Sequence, residues 1–207
     1  KINNRIIGCP VDISVGELAQ AIKEGKSFVP GYLKPNTKRN IKNWVSQQVI
    51  CLDIDNDEWY EENGKRKKRK KIHMTLEQAI EEFKDSAVFI YTTFSHTKSW
   101  PKFRVVFVLD REIDDYNTYQ KVMDYFLKKY PFVDQSCKDG SRIFFGGKEV
   151  IELDFTNRVS VDEVLKQKYY IKGFWLDKEY INSLIMSNQK PPKTKYNNIK
   201  HIINKNI

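Results

Sequence analysis

Apolar residues recur at helical spacing in several stretches of the chain. In the first stretch, Ser14 and Glu17 have the spacing of a capping box, and Gly25 follows the last apolar position. Thr75 and Gln78 repeat the capping-box spacing further along the chain. We therefore predict helices over residues 14–24, 75–83, 116–129 and 161–168.

Short apolar runs rich in β-branched and aromatic residues predict strands between these helices. One run, at residues 49–52, lies within segment 44–55 and is followed by carboxylates. The other predicted strands cover residues 87–92, 103–109, 142–145 and 150–153, and the first two of these are expected to be neighbours. This succession of helices and strands predicts an α+β or mixed α/β domain.

Two stretches are predicted as basic loops, residues 30–43 and residues 65–71. Every residue in the second stretch is Lys or Arg, so it cannot be buried and we expect a solvated loop. Solubility alone explains such a run. Alternatively, the run contacts phosphates or, in a eukaryote, directs nuclear import.

The character of the sequence changes near Tyr169. Residues 169–186 are rich in aromatic side chains and are predicted as a helix, and residues 187–198 resemble a linker. We predict a main domain over residues 1–168 and a C-terminal helical appendage or linker over residues 169–207.

The composition is that of a folded protein with an excess of positive charge. The 207 residues are 40% hydrophobic, and 36 Lys and Arg against 27 Asp and Glu give a net charge of +9. Such an excess favours a polyanionic partner such as nucleic acid. No apolar run reaches the roughly 18 residues of a membrane span, and the N-terminus lacks the apolar core of a signal peptide. We expect a cytoplasmic protein that does not enter a membrane.

Residue spacing argues against two common kinds of site. The three cysteines lie far apart and the three histidines are isolated, so neither a disulfide framework nor a zinc site is expected. Gly25, Lys26 and Ser27 resemble the end of a phosphate-binding P-loop. That motif needs a glycine five residues before Gly25, where Gln20 stands, so a P-loop is not expected.

Asp53 and Asp55 alternate with the apolar residues Leu52 and Ile54. The strand period of two places both carboxylates on one face. Two carboxylates so close repel by about 4 kcal/mol at an effective dielectric constant of about 20, so such pairs usually share a cation or a proton. Oxygen ligands at this spacing suit Mg²⁺ or Mn²⁺, which can clamp nucleotide phosphates. The alternative is an acidic strand end that faces water.

A second block combines a histidine with a basic strand. Ser95 and His96 lie in a turn, and Lys102 and Arg104 share one face of the strand that follows. Together these side chains would offer hydrogen-bond donors to a triphosphate. Taken one by one, they are ordinary surface cations and a loop histidine.

A third block follows the helix predicted at residues 116–129. Asp134 comes after apolar residues, and Ser141 with Arg142 opens the next predicted strand. The alternative is an ordinary connection between a helix and a strand. The order of the three blocks favours a common site, because an acidic pair is followed by Ser-His with a basic strand and then by Asp with Ser-Arg.

With these three blocks the chain resembles the archaeo-eukaryotic primase superfamily, specifically the primase-polymerase domains of phages, plasmids and mobile elements. The matching stretches are VICLDIDND, YTTFSHTKSWPKFRVVFVL and VDQSCKDGSRIFFGG, and the resemblance covers residues 10–160. It implies an α+β fold with an RRM-like catalytic sheet and flanking helices in the main domain. It also implies template-directed nucleotidyl transfer with Mg²⁺ or Mn²⁺ as cofactor, a single-stranded DNA template, and NTPs or dNTPs as substrates.

By position, the resemblance makes Asp53 and Asp55 the first metal-binding pair and Asp134 the third catalytic carboxylate. Asp139 is the alternative for the third ligand, although its place between Lys138 and Gly140 is more typical of a turn.

One position departs from the family pattern. The second motif is often a small residue, any residue and then His, but here Phe94 occupies the small position and Ser95 directly precedes His96. His96 is expected to contact the phosphates of the incoming nucleotide, and Arg104 to take over part of this role. The full set of residues expected to bind the nucleotide is Ser95, His96, Lys102, Arg104, Ser141 and Arg142.

The basic segments at residues 34–42 and 65–71 and exposed aromatic side chains are expected to hold the template. The residues chosen for this role are Lys38, Arg39, Lys42 and Trp100. The C-terminal appendage resembles the link that leads to a helicase in relatives, so a helicase, fused or separate, is an expected partner. Two alternatives stay open: a catalytically silent module that binds DNA at a replication origin, and a metal-dependent nuclease.

Overall fold

The computed structural model describes residues 9–166, 168–171 and 174–177. The chain divides into two compact units, residues 1–161 and residues 162–207. The helices are α1 (Val15–Lys23), α2 (Leu76–Phe83), α3 (Tyr116–Lys129) and α4 (Val161–Lys166). The strands are β1 (Gly31–Leu33), β2 (Trp44–Ile54), β3 (Asp57–Glu62), β4 (Lys65–Lys70), β5 (Phe89–Thr92), β6 (Phe103–Ile113), β7 (Val150–Glu152), β8 (Lys168–Ile171) and β9 (Phe174–Asp177). Within the described residues, no helix is long and apolar enough to cross a membrane.

Side-chain caps begin the three longer helices at the predicted places. The Ser14 hydroxyl accepts from the N–H of Glu17, whose carboxylate accepts from the N–H of Ser14. Thr75 and Gln78 form a second capping box at α2, and Asp115 caps α3. These helices confirm the predictions, because the caps that define their first turns depend on local sequence alone.

The first unit is built on an antiparallel sheet of five strands in the order β1-β2-β6-β5-β7. The strands predicted as neighbours pair as β5 and β6. Helices α2 and α3 pack on one face of the sheet, where the Phe107 ring lies 5.6 Å from Phe83 and 4.8 Å from Phe126. Because side chains alternate along a strand, Arg104 and its partner Asp53 lie on the other face. The antiparallel sheet with flanking helices confirms the predicted α+β fold.

The basic stretch at residues 65–71 corrects a prediction. It is exposed as expected, but residues 65–70 form β4 rather than a loop. β4 pairs with β3 in a hairpin that turns at Asn63 and Gly64, with φ values of 52° and 69°, as a type I′ turn requires. The strand forms because the carboxylates of β3 lie opposite these cations and offset their mutual repulsion.

The strand predicted at residues 142–145 does not form. The structure describes all four residues, and Phe144 alone among them has a strand-like pairing, an isolated bridge with Phe28. A turn held by Asp139 comes directly before this segment and directs Arg142 towards carboxylates instead of along the sheet. Side-chain contacts therefore determine the local path of the chain here.

The helix predicted over residues 169–186 is wrong where the structure describes the chain. In the second unit, β8 and β9 pair antiparallel, with Tyr169 opposite Leu176. Aromatic and β-branched residues favour strands, and Gly173 in the sequence disfavours a helix. The remainder of the predicted helix, and the linker at residues 187–198, lie outside the described residues.

Candidate active site

Asp53 is the buried carboxylate at the centre of the candidate site. Its side chain is 4% exposed and lies near the end of β2. Arg104 donates from Nε to Oδ1 at 3.1 Å, and Arg142 donates from Nη2 to Oδ2 at 2.7 Å. Both arginine side chains are themselves largely buried, so two fixed guanidinium groups face one buried carboxylate.

The register of the sheet explains the contact with Arg104. Asp53 of β2 lies opposite Arg104 of β6, which lies opposite Tyr91 of β5, so these side chains form a row across the sheet. Arg104 Nη1 donates to the carbonyl oxygen of Phe145 at 2.7 Å, and the Tyr91 hydroxyl donates to the same oxygen at 3.2 Å. No signal in the sequence marks Tyr91, because only the pairing of β5 with β6 places it in this row.

A backbone contact brings Asp134 to the same place. Its N–H donates to the carbonyl oxygen of Asp53 at 3.0 Å. Its Oδ2 accepts from Arg142 Nη1 at 2.9 Å, and its Oδ1 accepts from the N–H and the hydroxyl of Ser136, both at 2.9 Å. The guanidinium of Arg142 therefore joins Asp53 and Asp134. Sequence analysis places Arg142 on phosphate and misses this bridge.

Asp55 is partly buried and lies beside two ammonium groups. Lys102 Nζ is 3.7 Å from its Oδ1, and Lys68 Nζ is 3.9 Å from its Oδ2. The indole N–H of Trp100 donates to the carbonyl oxygens of Asp55, at 3.0 Å, and of Asn56, at 2.9 Å. Lys102 Nζ also lies 4.4 Å from the centre of the Trp100 ring, in a cation–π contact. Trp100 thus holds the turn that carries Asp55.

The Ser95-His96 turn comes before β6, as predicted. The N–H of Lys102 donates to Nδ1 of His96 at 3.2 Å, so the proton of a neutral imidazole is on Nε2. The hydroxyls of Ser95 and Thr93 are 3.2 Å apart. Phe94 is 55% exposed, so the residue that departs from the family pattern is a solvent-facing ring.

Asp139 is engaged in a turn. Its Oδ1 accepts from the N–H of Ser141 at 2.9 Å and from the Ser141 hydroxyl at 2.8 Å. This leaves Asp134 as the carboxylate of the third block that contacts Arg142 and the backbone of Asp53.

The basic segment at residues 30–43 is not a loop throughout, because it contains β1, and it approaches the site through one side chain. Arg39 Nη1 donates to the carbonyl oxygen of Ser141, the residue before Arg142. Lys38 and Lys42 are exposed. In the part of the chain that the structure describes, neither of these two lysines forms an ion pair with a carboxylate.

Burial and neighbouring charges move the pKa values of Asp53 and Asp134 in opposite directions. Burial raises the pKa of Asp53, and the negative charge of Asp55 adds to the rise, so the two arginines only partly offset it. Burial also acts to raise the pKa of Asp134, but hydrogen bonds from Ser136 and the charge of Arg142 outweigh it and lower this pKa. Burial is thus the main cause of the raised pKa of Asp53.

The carboxylates match a divalent cation in their chemistry. Asp53, Asp55 and Asp134 offer oxygen ligands only, which hard ions such as Mg²⁺ and Mn²⁺ prefer. Among the described residues, however, no group of three or more His, Cys, Asp and Glu side chains is arranged to hold a metal ion. The carboxylates of Asp53 and Asp134 bond the guanidinium of Arg142 instead. A metal ion at these carboxylates would have to displace Arg142 from them.

Comparisons with known proteins add two findings. A family model described as the VapE N-terminal domain matches residues 16–181 of the chain. A solved structure of the AEP domain of the cyanophage S-2L primase-polymerase is similar to the chain at 10% sequence identity, with a TM-score of 0.46 and coverage of 80% of this chain and 83% of that one. No curated protein matches the chain.

Proposed function

The chain belongs to the family of VapE N-terminal domains, and we propose that it is a metal-dependent nucleotidyltransferase that copies a single-stranded DNA template from NTPs or dNTPs. One observation supports this proposal above all: Asp53, Asp55 and Asp134, which come from two distant segments, converge at the end of β2. Side chains suited to a triphosphate surround them. The family match agrees with the resemblance that the three motif stretches carry, and replication of a phage, plasmid or mobile element is the proposed setting.

Asp53, Asp55 and Asp134 are the proposed ligands of Mg²⁺ or Mn²⁺. The bound ion would lower the pKa of a 3′-hydroxyl and stabilise negative charge on the α-phosphoryl group while pyrophosphate leaves. Burial and strand register fix the carboxylate of Asp53, and the backbone bond to Asp53 fixes the position of Asp134. Positioning of this kind accounts for a large share of the rate in phosphoryl transfer.

Arg104, Arg142, Lys102 and His96 are the proposed contacts of the triphosphate. The His96 imidazole accepts at Nδ1, so its Nε2–H is available to donate to a phosphate oxygen. Arg142 bonds Asp53 and Asp134 in the structure, and a triphosphate would offer its guanidinium competing anionic partners. Arg104 is held from three sides and so retains its position when charge in the site changes.

Template contacts are proposed for the basic loop that contains Lys38, Arg39 and Lys42, with Arg39 nearest to the motif of Arg142. Trp100 is proposed to contact the template as well, although its side chain is partly buried and its N–H already holds the turn at Asp55. A helicase, fused to the chain or separate, is the proposed protein partner.

The bridge made by Arg142 favours a second candidate function. In a catalytically silent module that binds replication DNA, Asp53 and Asp134 would serve the fold as partners of arginines, and no metal would be needed. Such a module would bind DNA with strong salt dependence and would keep this activity when Asp53 is neutralised.

Synthesis on a single-stranded template tests the proposal. Labelled NTPs or dNTPs are supplied with Mg²⁺ or Mn²⁺, with and without a primer, to the wild type and to the Asp53→Ala/Asp55→Ala variant. We expect template-dependent products from the wild type and none from the variant, with DNA binding retained in both. If neither protein makes product while both bind DNA equally, the proposal fails and the DNA-binding module is the better account.

A further inference from the structure

Trp59 is an exposed aromatic residue at the middle of β3. Its side chain is 52% exposed, although burying a Trp ring is normally favourable. The guanidinium of Arg66 lies 4.6 Å from the centre of its ring, and Lys68 Nζ lies 4.9 Å from it. The hairpin therefore presents an aromatic ring with two cations of β4, Arg66 and Lys68, beside it on the same face.

The hairpin has two faces with equal formal charge but different pairing. Residues that lie opposite each other in an antiparallel pair point to the same side. The register therefore defines two faces of the hairpin, which we call the Trp59 face and the Tyr60 face. The Trp59 face consists of Asp57, Trp59, Glu61, Arg66, Lys68 and Lys70. The Tyr60 face consists of Glu58, Tyr60, Glu62, Lys65, Lys67 and Arg69.

The two faces differ in how many of their cations are already held in ion pairs. On the Tyr60 face, Lys67 pairs with Glu62 and Arg69 pairs with Glu58, and Lys65 alone forms no ion pair within the described part of the chain. On the Trp59 face, Lys68 pairs with Asp57, whereas Arg66 and Lys70 form no ion pair with any residue that the structure describes. Two cations that flank an exposed indole are thus available to bind an anion.

The Trp59 face is on the side of the candidate active site. Lys68, which contacts the Trp59 ring, has its ammonium 3.9 Å from Oδ2 of Asp55. The base of the hairpin is held in place by Asn56, which has a φ of 50° and whose side-chain amide donates to the carbonyl oxygens of Met74 and Pro101 at 2.8 and 2.7 Å. A ligand on this face would therefore lie at a defined place beside the carboxylates.

We propose that the Trp59 face is a binding site for single-stranded nucleic acid, in which an unpaired base stacks on Trp59 and Arg66 and Lys70 bind the adjacent phosphates. Stacking on an aromatic ring tolerates any base, and nearby cations follow the backbone, which is the combination that single-strand binders use. The site deepens the proposed function, since it would hold the unpaired template strand next to Asp55. Binding of single-stranded nucleic acid at this face does not depend on the proposed function, and only the claim that the bound strand is a template rests on it.

Binding to two oligonucleotides separates stacking from charge. The probes are a fluorescently labelled oligothymidylate of about 12 nucleotides, which is within the site size of single-strand binders, and an abasic strand of equal length that keeps the phosphates. We expect Trp59→Ala to weaken binding of oligothymidylate about tenfold or more and to leave binding of the abasic strand unchanged. Trp59→Phe should restore most of the affinity, because its ring still stacks. Tyr60→Ala on the Tyr60 face is the matched control and should bind like the wild type.

Two charge variants test the cations with equal loss of charge. The salt dependence of oligothymidylate binding is measured for Arg66→Gln/Lys70→Gln and for Lys67→Gln/Arg69→Gln, whose cations both have carboxylate partners. Each lost phosphate contact lowers the slope of log K against log salt by about 0.7 on a single strand, so the first variant should lose about 1.4 and the second close to zero. Circular dichroism checks that each variant keeps the fold.

Equal effects of the two aromatic variants, or of the two charge variants, would overturn the site, as would a wild type that does not bind the oligothymidylate. The result of the synthesis assay that tests the proposed function does not depend on whether this binding site exists. A chain that makes product while Trp59→Ala binds normally has the proposed function without this site. A chain that makes no product while Trp59→Ala loses base-dependent binding has this site without the proposed function.

Discussion

Replacing Arg104 by methionine is expected to destabilise the protein strongly, because Asp53 would keep its charge in a buried place. The two side chains are 11% and 4% exposed, and their contact is 3.1 Å long. Removing one partner of a buried ion pair costs about 3–5 kcal/mol. Arg142 still bonds the other oxygen of Asp53, so we expect the lower end, about 3 kcal/mol. For a chain of 207 residues this corresponds to a fall in Tm of about 6–12 °C.

Urea unfolding at neutral pH, followed by circular dichroism, measures the free energy of unfolding of each variant. The double variant Arg104→Met/Asp53→Asn should recover most of the loss, because it removes the uncompensated charge. Glu62→Gln serves as the control, since Glu62 pairs with Lys67 where both side chains are about half exposed, and such pairs contribute less than about 1 kcal/mol. The reasoning is refuted if Arg104→Met costs no more than Glu62→Gln, or if the double variant is as unstable as the single one.

Three further predictions concern other parts of the first unit. Gly147→Ala should lower the free energy of unfolding by about 1–3 kcal/mol in urea titrations, because a Cβ there would lie 2.2 Å from a backbone oxygen of β5, whereas Gly16→Ala should not, because its Cβ would lie in ordinary van der Waals contact, 3.6 Å from the Phe155 ring. Trp100→Phe should slow nucleotide incorporation at saturating nucleotide with little change in Tm, because phenylalanine keeps the ring and loses the N–H that holds Asp55; an unchanged rate would remove Trp100 from the site. Asp115→Ala should lower Tm at neutral pH, since hydrogen bonds, first those with Thr118, lower the pKa of Asp115 and so stabilise the folded state above its unfolded pKa of about 3.9. This difference should vanish as the pH falls below both pKa values, and a difference that persists in acid would contradict the assignment.

Local features of the sequence predict those parts of the fold that local chemistry determines. The capping boxes at Ser14 and Thr75 define helix starts through bonds that span three residues, so a single sequence suffices to find them. Asp53 and Asp55 follow from strand alternation for the same reason. The exposure of residues 65–70 also follows from composition, whereas their pairing with β3 depends on a turn and on carboxylates that lie opposite them.

Contacts between distant segments account for what the sequence does not predict. Tyr91 joins the row of Asp53 and Arg104 through the register of three strands. The bridge of Arg142 depends on the backbone bond between Asp134 and Asp53, which no spacing in the sequence indicates. The sequence identifies the motif residues. Only the tertiary structure determines which of them contact carboxylates and which are free to bind phosphate.

Incorporation of a single labelled nucleotide into a primed template most directly tests whether Asp134 completes a catalytic carboxylate site. The wild type is compared with Asp134→Asn and with Asp139→Asn, a matched change in the same block at a carboxylate that serves a turn. The account predicts incorporation of the complementary nucleotide that requires Mg²⁺ or Mn²⁺, a loss of about 100-fold or more in Asp134→Asn, and a rate near that of the wild type in Asp139→Asn. Equal rates in the two variants, or a wild type that incorporates nothing with either metal, would contradict it.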